Sequence, residues 1–338
     1  MAHETPPLLS VRGLKTHFLM DEGVVRAVDG VSFEVRSGRV FGIVGESGCG
    51  KSVTMKAVLR VVEPPGRIVA GSILLDREGG PVDLVKLDAN SREMRSIRGA
   101  EIALIPQEPM ASFSPVHTIG SQIVETIMLH RPVSAEEARR IAVDLLDDVG
   151  IPMPEARLKA YSWQLSGGLR QRAIIAMALS CNPRLLIADE PTTAVDVTTQ
   201  AQVLRLLRRL EEERNAAIIF ITHDLGVIAQ MADDVMVMYL GLVMELGPVD
   251  AIFHQPRHPY TQALLRSIPS VTVQTHVKLP TISGSIPHPF NRPRGCPFHP
   301  RCEFSMPGRC DVRTPALQPV DAGHAVSCFK YHDIEVSE

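Results

Sequence analysis

Gly45-Glu46-Ser47-Gly48-Cys49-Gly50-Lys51-Ser52 is the stretch on which the reading of this chain turns. It has the form G-x-x-x-x-G-K-S, a loop whose glycines let consecutive backbone N–H groups face the phosphates of a nucleotide. In such a loop Lys51 reaches the β- and γ-phosphates, and the Ser52 hydroxyl takes one position on Mg²⁺. Taking glycine near 7% of residues, the pattern should arise by accident in a chain this long only on the order of one per cent of the time. Its flanks agree with it. Val40-Phe41-Gly42-Ile43-Val44 reads as a buried strand, and Val53 to Val62 as a helix stopped by Pro64-Pro65-Gly66.

Upstream, Leu8 to Phe18 and Ala27 to Val35 are short Val- and Phe-rich runs joined by the turn Asp21-Glu22-Gly23, which predicts an antiparallel pair. Downstream, Gly71 to Leu75 continues this β region, and Ile102-Ala103-Leu104-Ile105 is a further buried strand. Helical character takes over from Pro115. Ser134-Ala135-Glu136-Glu137 is a capping-box pattern, and Ala138, Ile141, Ala142, Leu145, Leu146 and Val149 follow at helical spacing. Leu185 to Ala188 and Ile218 to Ile221 read as strands, with a long helix from Val197 to Asn215 between them. Gly241 splits the apolar run Val235 to Met244 into two short strands. Strands alternating with helices around such a loop predict an α/β fold with a mainly parallel sheet.

At 338 residues the chain has material for one large or two modest domains. A net charge of −3 advertises no nucleic-acid partner. No apolar run reaches the ~18–20 residues of a membrane-spanning helix. The start, Met1-Ala2-His3-Glu4-Thr5-Pro6-Pro7, lacks the features of a secretory signal, so a cytosolic setting is expected, where cysteines serve as ligands or thiols more often than as disulfides.

Two more stretches carry chemistry. The apolar strand Leu185 to Ala188 runs into Asp189-Glu190. At such a strand tip Asp189 would hold Mg²⁺, and Glu190 would orient or deprotonate the water that attacks the γ-phosphate. Leu165-Ser166-Gly167-Gly168 opens a helix and offers a hydroxyl, free amides and a positive helix end, which makes a second anion site. One chain has no use for two γ-phosphate sites unless two chains share each nucleotide.

With these motifs in this order, residues Leu8 to Phe253 resemble the ATP-binding subunit of an ABC transporter. The resemblance implies a P-loop ATPase fold: a RecA-like parallel core, an antiparallel β subdomain and a helical subdomain at about 112–170. Gln107, in Ile105-Pro106-Gln107-Glu108-Pro109, matches the Q-loop, Asp196 the D-loop and His223 the switch histidine. It implies that Gln107 meets Mg²⁺ and water, His223 the γ-phosphate, and Asp196 the dimer interface. Phe18 falls where the family stacks an aromatic ring on adenine, although a strand Phe also serves simply as core. Glu46 to Ser52, Gln107 to Met110, Ala188 to Ala194 and Arg257 to Leu265 are similar to the peptide/nickel importer branch. Departures at Pro106, Phe113-Ser114, Tyr161-Ser162-Trp163 and Val195 remove no catalytic group. The division implied is a cassette over 1–255 and a C-terminal extension over 256–338.

Cys296, Cys302, Cys310 and Cys328 lie in that extension with five, seven and seventeen residues between neighbours. The tight C-x₂₋₄-C pair of zinc sites is missing, and wider gaps suit an iron–sulfur cluster. Gly295 to Cys302 also resembles the peptide-importer tail, some of whose members carry a [4Fe–4S] cluster. Zinc and unligated thiols are the alternatives. Arg292, Arg294, Arg301 and Arg309 are expected to offset the anionic site. Cys49 and Cys181 read as ordinary small buried residues.

The expectation is therefore the ATPase motor of a di- or oligopeptide importer at the cytoplasmic face of the membrane. It implies a second ATPase chain, paralogous rather than identical, two transmembrane permease subunits and an extracytoplasmic peptide-binding protein, and no nucleic acid. The alternative is a soluble cassette ATPase acting on nucleic acid or ribosomes. Such proteins usually carry two cassettes or a coiled coil, and this chain has one P-loop and no heptad run. A small-molecule kinase, the third option, has no use for the Ser166–Gly168 motif.

Overall fold

The computed structural model describes residues 6–108, 112–193, 196–268 and 282–332. Pro109, Met110, Ala194 and Val195, which belong to the Q-loop and D-loop stretches, lie outside them.

The strands are β1 (Leu9–Met20), β2 (Gly23–Val35), β3 (Val40–Val44), β4 (Gly66–Leu75), β5 (Val82–Asp83), β6 (Ile102–Ile105), β7 (Leu185–Asp189), β8 (Ala217–Ile221), β9 (Asp234–Tyr239), β10 (Leu242–Pro248), β11 (Gln318–Asp321) and β12 (His324–Val326). The helices are α1 (Lys51–Val58), α2 (Arg92–Ile97), α3 (Ile119–His130), α4 (Ala135–Asp148), α5 (Pro154–Arg157), α6 (Gly167–Leu179), α7 (Val197–Arg214), α8 (Leu225–Met231), α9 (Val249–His254) and α10 (Pro259–Arg266).

An eight-stranded sheet in the order β11-β12-β10-β9-β3-β8-β7-β6 forms the centre of the molecule, and β2-β1-β4-β5 makes a second, four-stranded sheet. Strands β9, β3, β8, β7 and β6 run parallel, and β10, β12 and β11 extend the sheet antiparallel. Residues 318–326 of the C-terminal extension are thus part of the same sheet as the P-loop strand.

The central strands read as unbroken apolar runs because both of their faces are covered. Alternate residues separate cleanly between two cores. Val40, Val44, Leu186, Ala188, Ile218 and Phe220 join the core shared with α3, α4, α6 and α7. Phe41, Ile43, Leu185, Ile187, Ile219 and Ile221 join the core beneath the four-stranded sheet and α1. Cys296, Phe298 and Cys310 belong to the first core, so the extension packs onto the cassette through apolar contacts as well as through β12.

Local signals hold where they are strong. Met20 pairs with Gly23 across the predicted turn, and Ser134 caps α4 by accepting from the Glu137 amide. The P-loop helix differs from its predicted span. It starts at Lys51, directly after Gly50 in a left-handed conformation, and its regular part ends at Val58, before Arg60 turns to φ 56°.

Candidate active site

The loop between β3 and α1 can be built only with glycine at two positions. At Gly45 (φ 151°) an added Cβ would lie 2.2 Å from the Met238 carbonyl oxygen, and at Gly50 (φ 105°) 2.2 Å from that of Ala27. Ser47 and Gly48 form the exposed tip, while Gly45, Cys49 and Gly50 are buried. Lys51 is 6% exposed; its Nζ donates to the Gly45 carbonyl at 2.7 Å and the Glu46 carbonyl at 3.1 Å. Burial raises the Cys49 thiol, against the opposing charge of Lys51.

Parallel pairing of β3, β8 and β7 brings the ends of these strands together, the crevice in which open α/β sheets bind ligands. Ser52 Oγ donates to Asp189 Oδ1 at 3.1 Å, joining residues from the two motifs predicted to share Mg²⁺. Burial raises the Asp189 pKa, the Ser52 hydroxyl opposes this, and the neighbouring Glu190 charge adds to it. A buried carboxylate beside a hydroxyl is an all-oxygen pair suited to a hard divalent cation.

Glu190 occupies the left-handed region at φ 49°, an unusual place for a non-glycine residue and one that clusters at functional sites. Its amide donates to the Ile221 carbonyl at 2.9 Å, which fixes the turn. Its carboxylate accepts from Gln107 Nε2 at 3.1 Å and from Thr193 Oγ1 at 2.9 Å, and lies 3.4 Å from His223 Nδ1. Gln107, Glu190 and His223 are therefore one cluster. Thr193 is a member that the sequence reading did not single out.

Other predicted residues stand apart from it. Ser166 caps α6, its hydroxyl accepting from the Leu169 amide at 3.4 Å, and Ser166 and Gly167 are exposed. Behind them Arg170, 6% exposed, donates to the Ser162 and Leu165 carbonyls, and Gln171 Nε2 donates to the Pro191 carbonyl at 2.8 Å. These bonds tie the Ser166–Gly168 stretch to the Asp189-Glu190 turn. Asp196 caps α7 and accepts from the Thr199 amide at 2.9 Å and hydroxyl at 2.7 Å, bonds that lower its pKa. Phe18, half-buried on β1, pairs with Val25 and Gly66.

The cysteine expectation gains no support from the described residues. Among the described residues no group of three or more His, Cys, Asp or Glu side chains stands close enough to hold a metal ion, so Cys296, Cys302, Cys310 and Cys328 are not gathered into an ion site. They are nevertheless neighbours. Burial pushes the Cys296 thiol up to about 12, and the charges of Cys310, Cys302 and Cys328 add to the rise. Three of the four arginines are engaged elsewhere. Arg292 donates to Asp29 at 3.0 Å, Arg309 to the His332 carbonyl at 3.2 Å, and Arg301 to Glu46 of the P-loop at 2.7 and 3.1 Å. The only hint of the last contact in the sequence is an arginine directly before Cys302.

Comparisons with known proteins agree with this geometry. A family profile described as "ABC transporter" matches residues 28–193, and one described as "Oligopeptide/dipeptide transporter, C-terminal region" matches 244–310. The dipeptide transport ATP-binding protein DppD of Escherichia coli is 46% identical over 321 residues, 95% of this chain and 96% of that one. The oligopeptide transport ATP-binding protein AppD of Bacillus subtilis is 47% identical over 327 residues, 96% of this chain and 97% of that one. Among solved structures, the dimeric ABC transporter cassette MJ0796 superposes with a TM-score of 0.63 at 26% identity, covering 71% of this chain and 98% of its own. The same cassette in a post-hydrolysis state bound to ADP and Pi gives 0.63 at 25% identity, with the same coverage.

Proposed function

This chain belongs to the ABC transporter family of ATP-binding subunits, and from that premise we propose that it is the ATP-hydrolysing motor of a di- or oligopeptide importer. The observation that carries the chemistry is the Gln107–Glu190–His223 cluster beside the Ser52–Asp189 pair. The peptide cargo rests on relatives named for dipeptide and oligopeptide transport over nearly the whole chain. Those relatives lend nothing to a soluble ATPase acting on nucleic acid or ribosomes.

In this reading Gly45 to Ser52 wrap the phosphates, and Lys51 exchanges its two carbonyl partners for phosphate oxygens. Ser52 and Asp189, with Gln107, would hold Mg²⁺, which would offset charge on the phosphates. Glu190 orients the attacking water and takes its proton, while Gln107 and Thr193 hold the carboxylate in place. His223, 64% exposed, faces the γ-phosphate position. Phe18 supports adenine. Ser166–Gly168 and Asp196 face the nucleotide of a second cassette, and closure of the pair pulls on two transmembrane permease subunits fed by an extracytoplasmic peptide-binding protein. Among the described residues no helix is long and apolar enough to cross a membrane, so the membrane path is assigned to those partners.

We further propose a [4Fe–4S] cluster on Cys296, Cys302, Cys310 and Cys328. The support is the sequence spacing, four cysteines without a tight zinc-type pair, together with the mutual influence of their thiols. Protein purified anaerobically should be brown with about four iron per chain; a colourless, zinc-loaded or metal-free protein rejects the cluster.

The function is tested by restoring labelled dipeptide uptake to cells that lack this chain. Uptake and ATPase activity should both vanish with Glu190→Gln. Unaltered turnover in that variant would place the base elsewhere, and active ATPase without any peptide uptake would reject the cargo.

A further inference from the structure

The P-loop has an outer side as well as a phosphate side, and here the outer side is covered by the C-terminal extension. The Glu46 amide donates to Tyr260 Oη at 2.9 Å. The Glu46 carboxylate receives both arms of Arg301, Nη1 to Oε2 at 2.7 Å and Nη2 to Oε1 at 3.1 Å. The same guanidinium donates to the Tyr239 hydroxyl at 3.2 Å and the Ser283 carbonyl at 3.0 Å. Its side chain is 4% exposed, and that of Glu46 is 19% exposed. Burial alone would lower the Arg301 pKa; the Glu46 carboxylate and Tyr239 hydroxyl outweigh it and hold the arginine charged. Tyr239, Tyr260 and Phe298 pack ring against ring beneath this pair, with centroids 4.7, 5.5 and 5.2 Å apart. A planar, bidentate, four-bonded arginine on an aromatic floor has little freedom to lend its partner.

Arg301 sits in a short turn between two of the tail cysteines, its own amide donating to the Phe298 carbonyl at 2.9 Å. The His299 amide donates to the Cys296 carbonyl at 3.0 Å, and the Cys302 amide to the His299 carbonyl at 3.2 Å. The turn carrying Arg301 therefore begins at one cysteine and ends at the next.

We propose that Arg301 is a positioning residue for nucleotide binding, acting through Glu46, and that the flanking cysteines, packed into and against the core, hold the turn that carries it. The proposal rests on the ATPase reading of the site. Glu46 brings a negative charge into a loop that must receive a polyanion. Arg301 neutralises that charge and draws the carboxylate to the outer side, which leaves the loop amides aimed at phosphate. Losing the arginine frees the carboxylate to compete for Lys51 and repel phosphate.

The test is Mg-ADP binding and ATPase kinetics on the purified full chain, with thermal melts alongside. Arg301→Ala should weaken Mg-ADP binding roughly tenfold or more and raise KM for ATP by more than it lowers kcat. Arg301→Lys, which keeps the charge without the fork, should recover part of the loss. Glu46→Gln, which leaves the extension intact, should weaken binding to a smaller degree and serves if Arg301→Ala does not fold. In the double variant the two losses should fail to add. Cys302→Ala should raise the Kd and add nothing to Arg301→Ala. A lowered Tm with unchanged Kd and KM, or independent additive losses, overturns the positioning role. Normal nucleotide binding by Cys302→Ala overturns the link to the thiols. If Lys51→Ala binds nucleotide as well as wild type, the site reading itself fails, an outcome distinct from either.

Discussion

The proposed function assigns phosphate to two surfaces of the chain, and they are finished to different degrees. On the P-loop side three polar residues have partners from this chain: Lys51 on two carbonyls, Ser52 on Asp189, Glu46 on Arg301 and Tyr260. On the Ser166–Gly168 side the helix N-terminus is open, and the neighbouring start of α7 leaves Val197 82% exposed. An exposed valine beside an exposed helix start leaves this face available to a partner. In the proposed function the first surface needs only a ligand, whereas the second awaits a second cassette as well.

The sharpest way to break this contrast is to disable each side separately. Lys51→Ala should abolish most nucleotide binding, and Glu190→Gln should cut turnover by about 10²–10⁴ while leaving binding intact. Ser166→Arg, on the open side, should also cost on the order of 10² in ATPase activity, since a helix-end anion site is filled by a side chain. Its effect on Mg-ADP affinity of the single chain should be under about twofold, because no Ser166 contact reaches the P-loop. Equal losses of single-chain affinity on both sides, read by titration, would mean that the two surfaces serve one nucleotide within one chain.

The same contrast explains what could be read from residues alone. Strong local patterns came through: the alternating faces of β3, β7 and β8, the caps at Ser134 and Ser166, and the Gly45–Ser52 loop, whose conformation only glycine permits. The helix start at Ser166 was legible too, since one short run carries it. What stayed hidden is the back wall of the P-loop. Glu46 and Arg301 lie 255 positions apart, and neither has a local signature that names the other. Strands β11 and β12 are short and include Pro319 and His324, a composition that does not announce membership of the central sheet. Their place is set by tertiary pairing of Glu245 with Val326 and Leu246 with Ala325.

A smaller effect concerns how the finished side is fastened. His258, 1% exposed, uses Nδ1 to accept from the Tyr260 amide at 3.0 Å, and its own amide donates to Glu245 Oε2 at 2.9 Å. Burial depresses its pKa from 6.5 to about 3. Between these values the unfolded chain binds the extra proton and the folded chain does not, so stability is full above about pH 6.5 and is lost as pH falls towards 3. The loss should reach on the order of 2 kcal/mol by pH 5. Urea midpoints at pH 7 and pH 5 should diverge less in His258→Asn, which keeps a capping acceptor without the titration. An unchanged acid slope in that variant would assign the sensitivity to other groups.

The smallest effect tests the open side from within. Asp196 spends its carboxylate on its own helix, accepting from both the amide and the hydroxyl of Thr199, so its removal should lower the Tm by only about 1–3 °C. Asn caps a helix as well as Asp does, so Asp196→Asn should melt with wild type. The two substitutions therefore separate capping from contact. If Asp196 also meets a second cassette, Asp196→Asn should lower ATPase activity at unchanged Tm, and Asp196→Ala should lower it at least as far, with a lowered Tm besides. If Asp196→Asn is fully active, the carboxylate serves only α7, and the open surface narrows to Ser166, Gly167 and the exposed Val197.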